Sequence, residues 1–284
     1  MPLRIFTNLS SLNAQRALQI SSDSLGGSLQ RIASGIRLHR SGDDIAAMSV
    51  SENLRGDAIA LKQGSRNLND GLALVNMLDG ALQEQSSILI RLREISAQSA
   101  TGTIGDTERA TLNLEFSALR SEFDRIAQTT EFNDRKLLDG SLSTSSSKTT
   151  VLQIGADSGT NNRFNLNQEL SLNAVTSSNM NFSTSNISTE TSATKAMDSL
   201  SLAIDKLVTV RGRVGAVQNR LEIAFDALNS HIESINGGIA TLRDADLAEE
   251  FAEMTKRQVL VQGAAAMIGQ ANLIPQSVLT LLQK

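Results

Sequence analysis

Two histidines are the first residues to test for chemistry, because an imidazole can ligate a metal or carry a proton near neutral pH. His39 stands beside Arg40 and His231 lies in a long helical stretch, and neither has a second histidine or a metal-spaced set of carboxylates nearby. The chain contains no cysteine, so disulfides and thiolate metal sites are excluded. The carboxylate pairs Asp43-Asp44 and Glu249-Glu250 are adjacent in sequence. Neighbouring positions on a helix point in different directions, so these pairs cannot converge as a general acid and base. They read as capping groups and solvated charge. No phosphate-binding loop, nucleophile elbow, dinucleotide fingerprint or zinc-peptidase helix motif occurs. The residues predict no enzyme, no catalytic residue, no cofactor and no metal.

What the residues do predict is a set of long helices. Leu200, Leu207, Val214, Leu221, Leu228, Ile235 and Leu242 recur every seven positions, and Ile204, Phe225, Ile232 and Ile239 follow four residues after members of that series. That is a heptad seam, from about Ala193 toward Arg257, with no proline to interrupt it. A helix of roughly 65 residues would extend about 95 Å at 1.5 Å per residue, and it cannot bury such a stripe alone. A second stride supplies a partner: Leu54, Leu61, Leu68, Val75, Leu82 and Leu89, supported by Ala58, Leu72, Leu78 and Leu92. Two seams of matched length are expected to pair antiparallel within the chain.

Composition narrows the class. Aromatic residues make up 3% of the 284, with no Trp or Tyr, which argues against a bulky globular core. The net charge is −4 with both signs dispersed, so no basic face for nucleic acid or anionic lipid is expected. Met1 to Phe6 lacks the charged region and apolar run of a secretory signal peptide, so export would need another route. Residues 258–283 are uncharged but carry five Gln, two Gly and Pro275, too polar for membrane insertion.

In chain order, Leu18, Leu25, Leu29, Ile32 and Ile36 mark an amphipathic helix between Leu9 and Arg40, loosened by Gly26-Gly27 and Gly35. Ser41 to Asp44 reads either as a capping box or as a polar loop before the first long helix. Long helices are expected at about 45–100, 107–130 and 193–244. The segment 141–194 turns to Ser, Thr and Asn; it reads either as disordered or as an outer excursion with a short hairpin between Val151–Gly155 and Phe164–Asn167. At the far end Leu247, Met254, Val261 and Ile268 keep the stride of seven, joined by Val278. The fold class is thus all-α: an elongated antiparallel coiled-coil bundle with a small β-hairpin, the N- and C-terminal helices pairing. Residues 1–44 with 245–284 form one expected domain and residues 45–244 the rod. A pair of terminal helices has little core, and its leftover apolar face should seek other copies; a head-to-tail contact that does not close makes a helical polymer.

At this point the sequence resembles a known family. Ser11 to Arg16, Ile32 to Arg37, Asp43 to Ala47, Arg66 to Gly71, Asp79 to Leu82, Leu92 to Ile95, Gln98-Ser99, Phe132-Asn133 and Gln153 to Gly155 are similar in type and order to bacterial flagellin. Ala271-Asn272 and Pro275 to Leu279 resemble its C-terminus. The resemblance spans about 190 residues over both ends of the chain and looks like a minimal form, with only core and rod domains. It implies a subunit that polymerises into the extracellular flagellar filament for swimming motility, exported by the flagellar type III apparatus. Implied partners are further copies of itself, other flagellins, an export chaperone, the filament cap and hook-associated proteins. The flagellin-sensing innate immune receptor is also implied, through Arg91, Ile95 and Glu115, although Ile90 replaces the family's usual Gln. Ile45, Ala47, Ile274 and Lys284 also depart from the family pattern. Two other readings share these features. A hook-filament junction protein would have similar termini, and a coiled-coil signalling or adhesive module would show the heptads without the glycine-loosened start.

Overall fold

The computed structural model describes residues 8–282, and side chains as far as Leu273. Six helices dominate: α1 (Leu9–Ser34), α2 (Ile45–Ser99), α3 (Asp106–Thr129), the short α4 (Leu166–Leu170), α5 (Glu190–Arg243) and α6 (Leu247–Leu282). Two antiparallel strand pairs accompany them, β1 (Glu131–Phe132) with β2 (Arg135–Lys136) and β3 (Val151–Gln153) with β4 (Arg163–Asn165). This is the all-α class with a small hairpin that the periodicity predicts. No described helix is long and apolar enough to cross a membrane. The chain divides into two compact units, one of residues 1–56 with 234–284 and the other of residues 57–233.

Local chemistry explains where the helices begin and end. Asn8 caps α1 by accepting from the Ser11 N–H at 3.2 Å, and Gly35 closes it in the left-handed conformation at φ 71°. The amphipathic pattern that runs on to Arg40 therefore stops as helix at Ser34. At the start of α2 the cap is Asp44, whose Oδ1 accepts from the Ala47 N–H at 3.0 Å. Ser41 plays no such part. Asp43 instead folds back to accept from the His39 and Arg40 N–H groups, at 3.2 and 3.0 Å.

The heptad stride that runs on toward Arg257 is interrupted as helix between Arg243 and Leu247, close to the expected helix end at about 244. The reason is a backbone pairing. Arg37 N–H donates to the Arg243 carbonyl at 2.7 Å, Ala245 N–H donates to the Gly35 carbonyl at 2.9 Å, and Ile36 bridges Asp244. Asp246 then starts α6 by accepting from the Ala248 N–H at 2.8 Å. These bonds satisfy groups that a continuing helix would have used internally.

In the unit of residues 57–233, Leu61, Leu68, Val75, Leu82 and Leu89 of α2 are buried, as are Leu200, Leu207, Val214, Leu221 and Leu228 of α5. The two helices run antiparallel, with Ser65 bonded to Asn229 at 3.3 Å and Arg211 to Asp79 at 3.1 Å. Helix α3 contributes Phe116 and Phe123, and Phe123 meets Phe182 edge to face at 5.2 Å. The buried Gln85 of α2 donates to the carbonyls of Phe123 and Val175, at 3.1 and 3.2 Å, tying α3 and the following loop to α2.

The Ser- and Thr-rich segment is ordered by side chains as much as by strands. Asn167 Oδ1 accepts from the Thr150 N–H at 2.7 Å, while its Nδ2 reaches the carbonyls of Ser141 and Ser143 at 2.9 and 3.0 Å. Asp124 accepts from both the N–H and the hydroxyl of Ser177, at 2.7 and 2.6 Å. Asn113 accepts from the Ile187 N–H at 3.0 Å, and Arg120 donates to the carbonyls of Ser183 and Ser185. A polar composition thus becomes a fixed layer because α3 supplies partners for its backbone.

The hairpin lies directly on α2. A β-carbon on Gly64 would overlap the Ile154 carbonyl, and one on Gly71 would overlap the Leu152 side chain. Between them Asn67 donates to the Gln153 carbonyl at 2.8 Å. Gly64, Asn67 and Gly71 share one helix face, so the two glycines open room for β3 and the asparagine satisfies its backbone.

Candidate assembly surface

The residues first tested for chemistry are dispersed. His39 Nε2 lies 2.6 Å from the Ser34 hydroxyl, His231 is exposed, Asp43 accepts from the His39 and Arg40 N–H groups of its own loop, Asp44 caps α2, and no group that could hold a metal occurs among the described residues. The candidate site is therefore a surface.

In the unit of residues 1–56 with 234–284, α1 and α6 pair antiparallel. Asn8 Nδ2 donates to the Ala271 carbonyl at 2.8 Å near one end, and Arg31 meets Glu250 at 2.5 Å near the other. The Glu250 carboxylate, accepting from Nε of Arg31, raises the guanidinium pKa. Glu52 adds an ion pair with Arg243 at 2.7 Å. Between these bonds the packing is shallow. Leu18, Leu25, Ile32, Ile36, Met254, Val261 and Ile268 are half-buried, and Leu29 and Leu247 are exposed. Leu54 and Ile235, the seam positions in this unit, are half-buried as well. Val278 lies outside the residues whose side chains are described.

The apolar load of this unit is directed outward. Val259 is 62% exposed and Met267 64%, and Leu9, Leu12, Ile20, Phe251, Leu260 and Leu273 are also open to solvent. Val259 and Phe251 fall outside the stride of seven that selects the seam, so periodicity alone passes over them. The signal that could have found them is total apolar content per turn, which is higher in this helix than one partner face requires.

In the unit of residues 57–233 the structure joins two of the three residues expected to form a receptor-facing patch. Arg91 pairs with Glu115 and with Glu94, each at 2.9 Å, and all three are exposed. Those two carboxylates hold the Arg91 guanidinium in its charged form. Ile95 does not join them: it is fully buried, because it falls one turn beyond Leu92 on the core face of α2. The apolar residues next to Arg91 and Glu115 in sequence are Ile90 and Leu114, 59% and 72% exposed.

Comparison with known proteins decides the family. The model of the bacterial flagellin N-terminal helical region matches residues 5–143, and that of the bacterial flagellin C-terminal helical region matches residues 197–282. Flagellin of Halalkalibacterium halodurans is 36% identical over 276 residues, covering 97% of this chain and 98% of that protein. The chain belongs to the flagellin family. A flagellar filament 30.7 kDa core protein of Treponema maltophilum is 35% identical over 279 residues, with 97% and 98% of the two chains covered. Among solved structures, a Vibrio parahaemolyticus protein named as flagellar hook-associated aligns over 71% of this flagellin and 100% of its own chain, with TM-score 0.56 at 13% identity. That last likeness is one of fold alone.

Proposed function

We infer that this flagellin is a structural subunit of the bacterial flagellar filament, polymerising outside the cell and serving motility. The observation that carries the reading is the outward apolar face of the α1–α6 pair, with Val259 and Met267 the most open large apolar residues described on α6. A pair of helices with half-buried seams and an exposed apolar face gains most by packing against further copies. Residues 1–44 with 245–284 would form the inner domain of the filament, and residues 45–244 the rod. The flagellin family is a structural one, and this reading assigns the chain no reaction.

Names among the relatives support the filament subunit over a junction protein, since they are named as flagellin or as filament core protein at about a third identity over nearly the whole chain. Export through the flagellar type III apparatus, an export chaperone, the cap, hook-associated proteins and other flagellins belong to the same proposal. Recognition by the innate receptor would rest on Arg91 and Glu115 with Ile90 and Leu114 beside them.

Seeded growth tests the reading. Purified full-length chain with short filament seeds and a precipitating salt should give long helical filaments by electron microscopy. Val259→Asp and Met267→Asp, at positions already open in the monomer, should leave its helicity unchanged and stop elongation. Unimpaired filaments from both variants would refute burial of this face.

A further inference from the structure

In the unit of residues 57–233, a cleft of about 560 Å³ opens between one face of α5 and the loops around residues 140–143 and 171–180. We propose that this cleft binds a small carboxylate, held by Lys206 and Arg213. The volume lies within the range of about 300–1,000 Å³ typical of small-ligand sites.

Three features of the cleft point to an anion. Lys206 and Arg213 are seven residues apart on α5, with Thr209 and Val210 between them on the same face, so both heads serve one opening. Each spends a single donor on a backbone carbonyl, Lys206 on Asn179 at 3.4 Å and Arg213 on Ser171 at 3.2 Å. An ammonium has three donors and a guanidinium five, so most of their capacity is unused. Finally, no Asp or Glu lines the cleft.

On α5, Arg211 meets Asp79, Arg220 meets Glu169 and Arg243 meets Glu52, whereas Lys195, Lys206 and Arg213 have no carboxylate partner among the described residues, and of these three only Lys206 and Arg213 line the cleft. The Asn173 side-chain amide at the same opening also makes no hydrogen bond among the described residues, and offers another donor. Beneath the donors, Val175 and Met180 are buried and apolar. Cationic and amide donors over an apolar floor suit a carboxylate on a short carbon chain. A dicarboxylate offers one carboxylate to each cation.

The carboxylate could come from a free organic acid or from an acidic side chain of a second copy, and one experiment separates these sources. Full-length monomeric protein would be titrated with glutarate at constant ionic strength, following backbone amide resonances, with neutral glutaramide alongside. Saturable shifts at Asn173, Lys206 and Arg213 with glutarate alone, weakened about tenfold by Lys206→Gln or Arg213→Gln and retained in Lys206→Arg, would establish a free-acid site. Equal binding of glutaramide would overturn the proposal.

The second arm rests on the filament reading and compares the rate of acetylation of the Lys206 amine in monomer and in filaments. Without glutarate binding, protection of Lys206 on assembly that is lost in Arg213→Gln filaments would assign the carboxylate to a neighbouring copy. No glutarate binding and no such protection would overturn the proposal, and seeded growth itself, read separately, reports on the filament reading.

Discussion

The carbonyl of Ile154 occupies the space that a β-carbon on Gly64 would need. Because the obstacle is backbone, it cannot swing aside as a long side chain could. Gly64→Ala should therefore destabilise the 57–233 unit by about 1–3 kcal/mol, the cost of overpacking a filled site. Nothing lies near a β-carbon on Gly80 in the same helix, so Gly80→Ala should stabilise by roughly 0.5–1 kcal/mol through helix propensity. Denaturant midpoints of the two monomers should move in opposite directions. Movement in the same direction would mean the hairpin does not press on α2.

The turn between β1 and β2 places two non-glycine residues in left-handed conformation, Asn133 at φ 50° and Asp134 at φ 60°. Asn tolerates this region well, and Asp less so. Replacing Asp134 by Gly removes a local cost of roughly 1 kcal/mol. Thermal unfolding should shift upward by a few degrees, with no change in helix content by circular dichroism.

The Arg31–Glu250 pair joins α1 to α6, with the two side chains 32% and 14% exposed. Glu250→Ala leaves Arg31 without its carboxylate in a partly dry place. The loss should be about 1 kcal/mol, discounted for the water that reaches Arg31. Limited proteolysis should then cut α1 faster while the 57–233 unit resists as before. An unchanged cleavage pattern would show that the ion pair is not what holds the two helices together.

The loop before α2 should respond to acid. Asp43 is held below the usual carboxylate range, first by the backbone N–H of Arg40 and then by that of His39. A carboxyl with a lowered folded pKa contributes stability that is present above its unfolded value and lost as pH falls through the folded one. Amide exchange at His39 and Arg40, corrected for intrinsic rates, should accelerate only as pH falls below the ordinary carboxylate range, where Asp43 takes up its proton. In Asp43→Asn the same amides should show no such acid transition.

Much of this architecture is legible in residue spacing because a heptad stripe has one economical solution, burial against another stripe. Leu68, Val75, Leu82 and Leu89 on one helix and Leu200, Leu207, Val214 and Leu221 on the other are all buried. The cause of the break at Asp244 to Asp246 is not legible, although a helix end near 244 is expected, since the break depends on Gly35 and Arg37, some two hundred residues away in sequence. Gly64 and Gly71 are similarly opaque: within a helical pattern they read as weak points, and only the strand lying across them gives their purpose. At the surface, spacing marks the residues that line a seam. It cannot mark Val259 or Ile90, whose exposure follows from which faces the neighbouring elements leave uncovered.

Asn167 joins the Thr150 amide to the carbonyls of Ser141 and Ser143, in a stretch with little regular structure of its own. One planar group therefore arbitrates several turns at once, like a keystone. Its removal would strip partners from all of them together, so the stretch between Ser141 and Thr150 should open in a single cooperative event instead of fraying bond by bond.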